Sequence, residues 1–222
     1  MGRTITVKGI GKASAKPDYV VIGMDLSSQD MDYDKALALA SENITHLTDA
    51  IVSCGFEKDA VKTTNFNVRT DYNSVKDKNG NYKREFNGYV ISHSLKVEFD
   101  FDSKKLSQAL SAIAGCLAHP ELSIRFTVKD SSAVSEEMLR SATENARRKA
   151  EILCDASGMK LGELKAIDYN WGELDIYSST RYEVEDRCLG APMVMADAAI
   201  DFEPDDIEVG DTVTFVWEIK ES

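Results

Sequence analysis

The sequence is short of the features that announce chemistry. It has four cysteines, Cys54, Cys116, Cys154 and Cys188, and no C-x-x-C pair, so neither a cysteine zinc site nor a dithiol redox centre is written in it. Cys54, Cys116 and Cys154 fall near the ends of expected helices and read as small buried apolar residues. Cys188 falls in a loop-like stretch and reads as exposed. Unpaired thiols in this pattern fit a reducing compartment. Histidine is equally sparse: His46, His93 and His119 show no H-x-x-x-H spacing and read as structural. No G-x-S-x-G elbow, P-loop or H-E-x-x-H is present. The acidic residues Glu203, Asp205, Asp206, Glu208 and Asp211 lack the D-x-D-x-D-G order of a calcium loop and read as a solvated charge run. There is no basic excess. Lys plus Arg number 26 against 38 Asp plus Glu, a net charge of −12, which repels phosphate backbones and argues against nucleic-acid binding. No apolar run approaches the roughly 20 residues that span a bilayer, so no membrane insertion is expected. The opening MGRTITVKGIGK passes straight into strand-like alternation. Without a signal-peptide pattern, the expected location is cytoplasmic; the alternative is periplasmic or exported, if an upstream signal was removed.

What is present is architecture. The 222 residues are 43% hydrophobic and 29% charged, an ordinary globular composition. Arg3 to Gly11 and Tyr19 to Ser27 alternate as strands. Gly9 and Gly11 suggest a dinucleotide loop, but Pro17 and a second strand follow where that motif needs a helix. The glycines are read instead as a bulge or tight turn. Asp30 or Asp32 can cap a helix over Tyr33 to Cys54, with Ala36, Leu37, Ala40, Ile44, Leu47 and Ile51 as one apolar stripe and Gly55 as its stop. Val61 to Val75 and Tyr82 to Phe101 form a long hairpin about Asn79-Gly80. A helix follows over Ser103 to Leu117, then a strand through Leu122, Ile124, Phe126 and Val128. The stretch from Ser131 to Ile167 is a long helix capped by Ser131, Ser132 or Ser135. Met138, Ala142, Ala146, Ala150 and Leu153 make its apolar face, Gly158 ends it, and a strand runs from Glu163 to about Tyr177. Residues 170–204 show no sustained period and read as a long loop or interaction arm. Ile207 to Asp211 gives a short strand and turn, and Val213 to Ile219 the final half-buried strand. The order implies an α+β fold: a mixed, largely antiparallel sheet, about three helices packed on one face, and a long projecting hairpin. No linker divides the chain, so residues 1–222 are read as a single domain.

Several motifs together resemble the SIMPL domain family. They are Val7-x-Gly9-x-Gly11 with Pro17-Asp18; Thr63-x-Asn65-Phe66 with Tyr72; Gly88-Tyr89 with Ser94-Leu95-x-Val97; Asn145-Ala146-Arg147-Arg148-Lys149-Ala150-Glu151-Ile152-Leu153-Cys154 with Gly158-Met159-Lys160-Leu161-Gly162; and Ile207-Glu208-Val209-Gly210. Three positions depart from the family pattern, Thr70, Asn145 and Cys154, all at packing or capping sites. The resemblance implies an α+β domain that assembles into ring- or channel-like oligomers, with bacterial members linked to oxidative stress and many of them exported. It brings no catalytic residues. No catalytic, cofactor-binding or metal residue is therefore assigned, and no cofactor is expected.

The expected function is that of a non-enzymatic, self-associating protein and homo-oligomer. The candidate interface residues are Trp171, Tyr177, Tyr182, Met193, Met195, Tyr72 and Tyr82, since Tyr, Trp and Met are enriched at interface cores. The alternatives are a small-molecule or enzymatic site between the sheet and the long loop, and a protein-partner adaptor, which rests on the resemblance to an animal member.

Overall fold

A computed structural model describes residues 3–76, 81–170, 174–184 and 202–221. The elements run β1 (Thr4–Ala15), β2 (Tyr19–Asp30), α1 (Tyr33–Ser53), β3 (Lys62–Lys76), β4 (Tyr82–Asp100), α2 (Ser103–Ala114), β5 (Glu121–Thr127), α3 (Ser131–Ala156), β6 (Met159–Asp168), β7 (Tyr177–Val184) and β8 (Ile207–Glu221). The α+β class stands, but the single sheet resolves into two, ordered β1-β8-β6 and β3-β4-β2-β5-β7. Every strand pair of defined register is antiparallel. The chain divides into two compact units. One holds residues 1–18, 127–179 and 204–222; the other holds 19–126 and 180–203.

In the first unit α3 lies on the three-stranded sheet. Its buried residues, Val134, Met138, Ala142, Ala146, Ala150 and Cys154, recur every four positions, one row of neighbours along a helix. Leu153 is more than half exposed and Cys154 takes its place in the core, because the row keeps a strict spacing of four. The helix is capped by Asp130 and not by a serine, its carboxylate accepting from the N–H groups of Ser132 and Ala133. Gly9 and Gly11 make neither bulge nor turn: they sit in the unbroken β1–β8 ladder opposite Val213 and Asp211. Their role is clearance. A Cβ on Gly9 would lie 2.0 Å from the Ala142 carbonyl oxygen, and one on Gly11 2.2 Å from that of Met138. Likewise Gly210 and Asp211 form no turn, since β8 runs continuously from Ile207 to Glu221.

The second unit packs larger side chains. Val20, Ile22, Met24 and Leu26 of β2 and Leu95, Val97 and Phe99 of β4 meet Leu47 and Ile51 of α1 and Leu106, Ala109 and Ile113 of α2. Asp32, one of the two expected caps, closes the start of α1. Leu37 is turned outward, and α2 ends at Ala114, which leaves Leu117 beyond it and exposed. The strand expected to reach Tyr177 stops at Asp168, and β7 lies inside the stretch read as loop. Its YSSTRYEV lacks apolar alternation; Ile176 and Ser178 are buried instead, with the Ser178 hydroxyl donating to the Asp205 carbonyl at 2.7 Å. A hydroxyl satisfied in this way leaves no hydropathy signal.

Candidate interaction surface on the β3–β4 ribbon

Strand β4 is 19 residues long and pairs with β2 only from Tyr89 onward. Among the described residues its partner between Tyr82 and Gly88 is β3 alone, so this end of the hairpin is a two-stranded ribbon. Two features set where the ribbon departs. Gly88 has φ +108, and a Cβ there would meet the Asp30 carbonyl oxygen at 2.5 Å. Beside it the ladder shifts register between Asp71 and Tyr72. The Asp71 carboxylate fixes that irregularity, accepting from the Asn87 amide at 2.7 Å and the Gln29 amide at 3.3 Å, while Gln29 also donates to the Asn87 carbonyl. The Asn87 amide, then the Tyr72 backbone N–H, Gln29 and Arg69, hold the Asp71 carboxyl below the usual carboxylate range against the opposing effect of desolvation.

Beyond this point the pairing sets Tyr72 opposite Phe86, Ser74 opposite Arg84 and Lys76 opposite Tyr82. Alternation puts these six side chains on one face. The rings of Tyr72 and Phe86 meet edge to face at 5.8 Å, Phe86 meets Tyr89 at 5.3 Å, and Tyr89 meets Tyr33 of α1 at 5.5 Å. The Arg84 guanidinium stands 4.6 Å over the Tyr72 ring and the Lys76 ammonium 5.3 Å over that of Tyr82. Tyr82 is 71% exposed, and Met31, Tyr33, Tyr72 and Phe86 each show a third or more of their surface. The result is a chain of aromatic edges with two cations laid across it, held on a backbone that is pinned at its root. Such a surface can take an apolar or anionic partner through ring faces and charge together.

Of the residues expected at an interface, Tyr72 and Tyr82 are brought together here. Tyr182 is not. It lies on β7, at the other edge of the five-stranded sheet, where its ring packs at 5.3 Å from Phe202 and 6.3 Å from Phe126. Tyr177 starts the same strand and is half-buried. Trp171, Met193 and Met195 lie outside the described residues. Phe86, Arg84, Tyr33 and Met31 were missed. The period-two spacing of Tyr82, Arg84 and Phe86 was the available signal, but only the register opposite Tyr72 gives it meaning.

A second feature belongs to the first unit. The α3 row Lys149, Asn145 and Ser141 tracks the edge of β1 that β8 does not use. The Lys149 ammonium donates to the Lys8 carbonyl at 3.2 Å, and the Ile10 and Lys12 N–H groups donate to Asn145 Oδ1 at 3.0 Å and Ser141 Oγ at 3.3 Å. The next position in the row is Glu137. There the seam opens into a groove of about 520 Å³ lined by Lys12, Ser14, Glu137 and Glu208. Among the described residues, no group of three His, Cys, Asp or Glu side chains is placed to hold a metal ion, and no helix is long and apolar enough to cross a membrane.

Residues 5–217 match the model of one family, SIMPL, described as a protein of unknown function (DUF541). This chain belongs to the SIMPL family. It is similar to the 26 kDa periplasmic immunogenic protein of Brucella melitensis, with 30% identity over 167 residues that cover 73% of this chain and 65% of the relative. The protein of the same name from Brucella abortus is 29% identical over the same shares. The match therefore spans a little under two thirds of those relatives' length. The structure puts the SIMPL motifs of this chain to use in pairs. The Val7-x-Gly9-x-Gly11 stretch and the Asn145–Cys154 stretch are the two sides of the α3–β1 seam. Gly88-Tyr89 marks where the ribbon leaves the sheet.

Proposed function

We propose that this SIMPL protein acts by association and not by turnover, as a non-enzymatic, self-associating domain whose β3–β4 ribbon makes the contact. The exposed aromatic face of Tyr72, Phe86 and Tyr82 carries this reading, since an apolar, ordered patch on a soluble surface marks a binding site. Charge favours a second copy as the partner. Residues 62–89 hold six basic and three acidic residues, against 20 and 35 in the rest of the chain, so the ribbon is basic and the surface available on a neighbour is acidic. The periplasmic placement named for the Brucella relatives is proposed for this chain in place of a cytoplasmic one, and with it a role linked to oxidative stress. Sedimentation velocity across a concentration series tests the association. The wild type is expected to form a defined oligomer that weakens with added salt, and Tyr72→Ala combined with Phe86→Ala is expected to shift it toward monomer with its melting temperature kept. A wild type that stays monomeric at every concentration overturns the proposal.

The groove at the end of the α3–β1 seam favours a second reading, a small-molecule site, in which Lys12 and the Ser14 hydroxyl face a ligand's acceptors and Glu137 and Glu208 its donors. A thermal-shift screen against metabolites and metal ions tests it, and no reproducible stabilisation counts against it.

A further inference from the structure

His93 sits on β4 at the root of the hairpin, and it is the one described residue with a buried side-chain polar atom that lacks a partner. Only 8% of the residue is exposed. Its Nε2 lies 2.8 Å from the Thr63 hydroxyl, the Phe66 ring stands edge-on at 5.2 Å, and Nδ1 meets nothing. A neutral ring tolerates this, because Nδ1 can be a bare lone pair while the Nε2 proton goes to Thr63. A protonated ring does not, because Nδ1–H becomes a charged, buried donor without an acceptor.

Among the described residues, the surroundings offer no counter-charge. His93 pairs with Leu26 of β2 and Phe66 of β3, so alternation turns Asp25 of β2, Lys96 and Glu98 of β4, and Lys62 and Arg69 of β3 to the opposite face. Asp30 lies on the shared face but two rungs away, opposite Tyr89. On α1 the titratable residues Asp34, Lys35, Glu42, His46 and Asp49 all lie off the buried row of Ala36, Ala40, Leu47 and Ile51. Consistently, burial alone lowers the affinity of His93 for a proton below the ordinary histidine value. The element best able to move is β3, which is the edge strand of its sheet and exposed along nearly its whole length. Its ladder is already irregular between Thr63 and Asn65.

We infer that His93 is an acid-sensitive latch: protonation releases the Thr63–Phe66 segment of β3 from β4 and loosens the hairpin at its root. The latch is read within one chain and stands or falls apart from the self-association proposed above. The sign is fixed. The folded state binds its proton less readily than the unfolded state, so the stability at stake is full above the ordinary histidine range and is lost as pH falls through it.

Hydrogen exchange of the full chain at about pH 7.5 and about pH 5.5, either side of that range, tests the latch once intrinsic rates are corrected. Protection of peptides covering residues 62–68 is expected to fall several-fold on acidification in the wild type and in His46→Gln, and to stay level in His93→Gln. Unchanged protection in the wild type, or an equal acid loss in His93→Gln, overturns the inference. Should His93→Gln fail to fold, ring NMR of the wild type decides: His93 is expected to titrate below the ordinary histidine range, and titration at or above that range overturns the latch.

Discussion

Both units contain the same local series, a long helix, a glycine in the left-handed region and a strand, yet they pack it by opposite means. Gly55 after α1 has φ +86 and Gly158 after α3 has φ +69, and each closes its helix in the conformation that glycine adopts without cost. Above those stops the chemistry diverges. The α3 unit removes side chains: alanines on the helix face glycines on the strand, and the backbones come close enough for helix side chains to bond the strand edge. The unit of α1 and α2 adds them, filling the gap between helix and sheet with Leu47, Ile51, Leu106, Ile22 and Val97. A close seam has no room to give, whereas a core of branched side chains can repack around a change.

The sharpest way to break the contrast is to move one methyl group. Gly9→Ala is expected to destabilise by about 3 kcal/mol, the top of the usual range for overpacking, because the new Cβ meets backbone that cannot step aside. Urea unfolding measures it, and a loss under about 1 kcal/mol would mean that α3 does not touch β1 there. Ala146→Leu presses on the same seam from the helix side and should cost roughly 1–3 kcal/mol. Asn145→Ala leaves the packing alone but strips the Ile10 N–H of its acceptor, with an expected loss of about 1 kcal/mol. The matched change in the other unit is Gly23→Ala on β2. Its Cβ would meet only the Ser123 hydroxyl, at 2.5 Å, which can rotate away, so a shift of less than about 1 kcal/mol in either direction is expected. The smallest effect is electrostatic. The Ser132 hydroxyl, followed by the Ser132 and Ala133 N–H groups, holds the Asp130 carboxyl below its ordinary value. Its contribution is therefore present above that ordinary range and is lost as pH falls through the folded value. Melting curves of wild type and Asp130→Asn should draw together in acid, and a gap that widens instead would reverse the sign.

These tests bear on what the sequence could disclose. Period predicted the three described helices and the last strand, because each carries one apolar face, whereas the hairpin rested on its Asn79-Gly80 turn signal, since β3 buries no residue. Ala142, Ala146 and Ala150 were legible as a face, but nothing in them named the strand they meet, and Gly9 and Gly11 read as a bulge or tight turn because the helix residues they face, Ala142 and Met138, are far away in the sequence. Such long-range contacts are also why one sheet was expected where there are two. The ribbon was legible only in part: Tyr72 and Tyr82 stood out as residue types, whereas Phe86 and Arg84 acquire meaning from a register set by the irregularity at Asp71. β7 was hidden because the buried residue at its start is Ser178, whose hydroxyl is satisfied by a backbone carbonyl and adds nothing to an apolar alternation.

The β1–β8 ladder joins residues 4–15 to residues 207–218, and this constrains how the molecule is made. On a ribosome β1 emerges early and must wait, unpaired, until nearly two hundred further residues have been added. Residues 19–126, which hold most of the other unit, can collapse in the meantime. Contacts of such separation form slowly, since a long loop must close before they repay it. The glycines that let α3 lie so close also weaken β1 as a free strand, since glycine is a poor strand former. An apolar strand kept waiting beside a nascent chain is a hazard for mispairing, and those glycines reduce it.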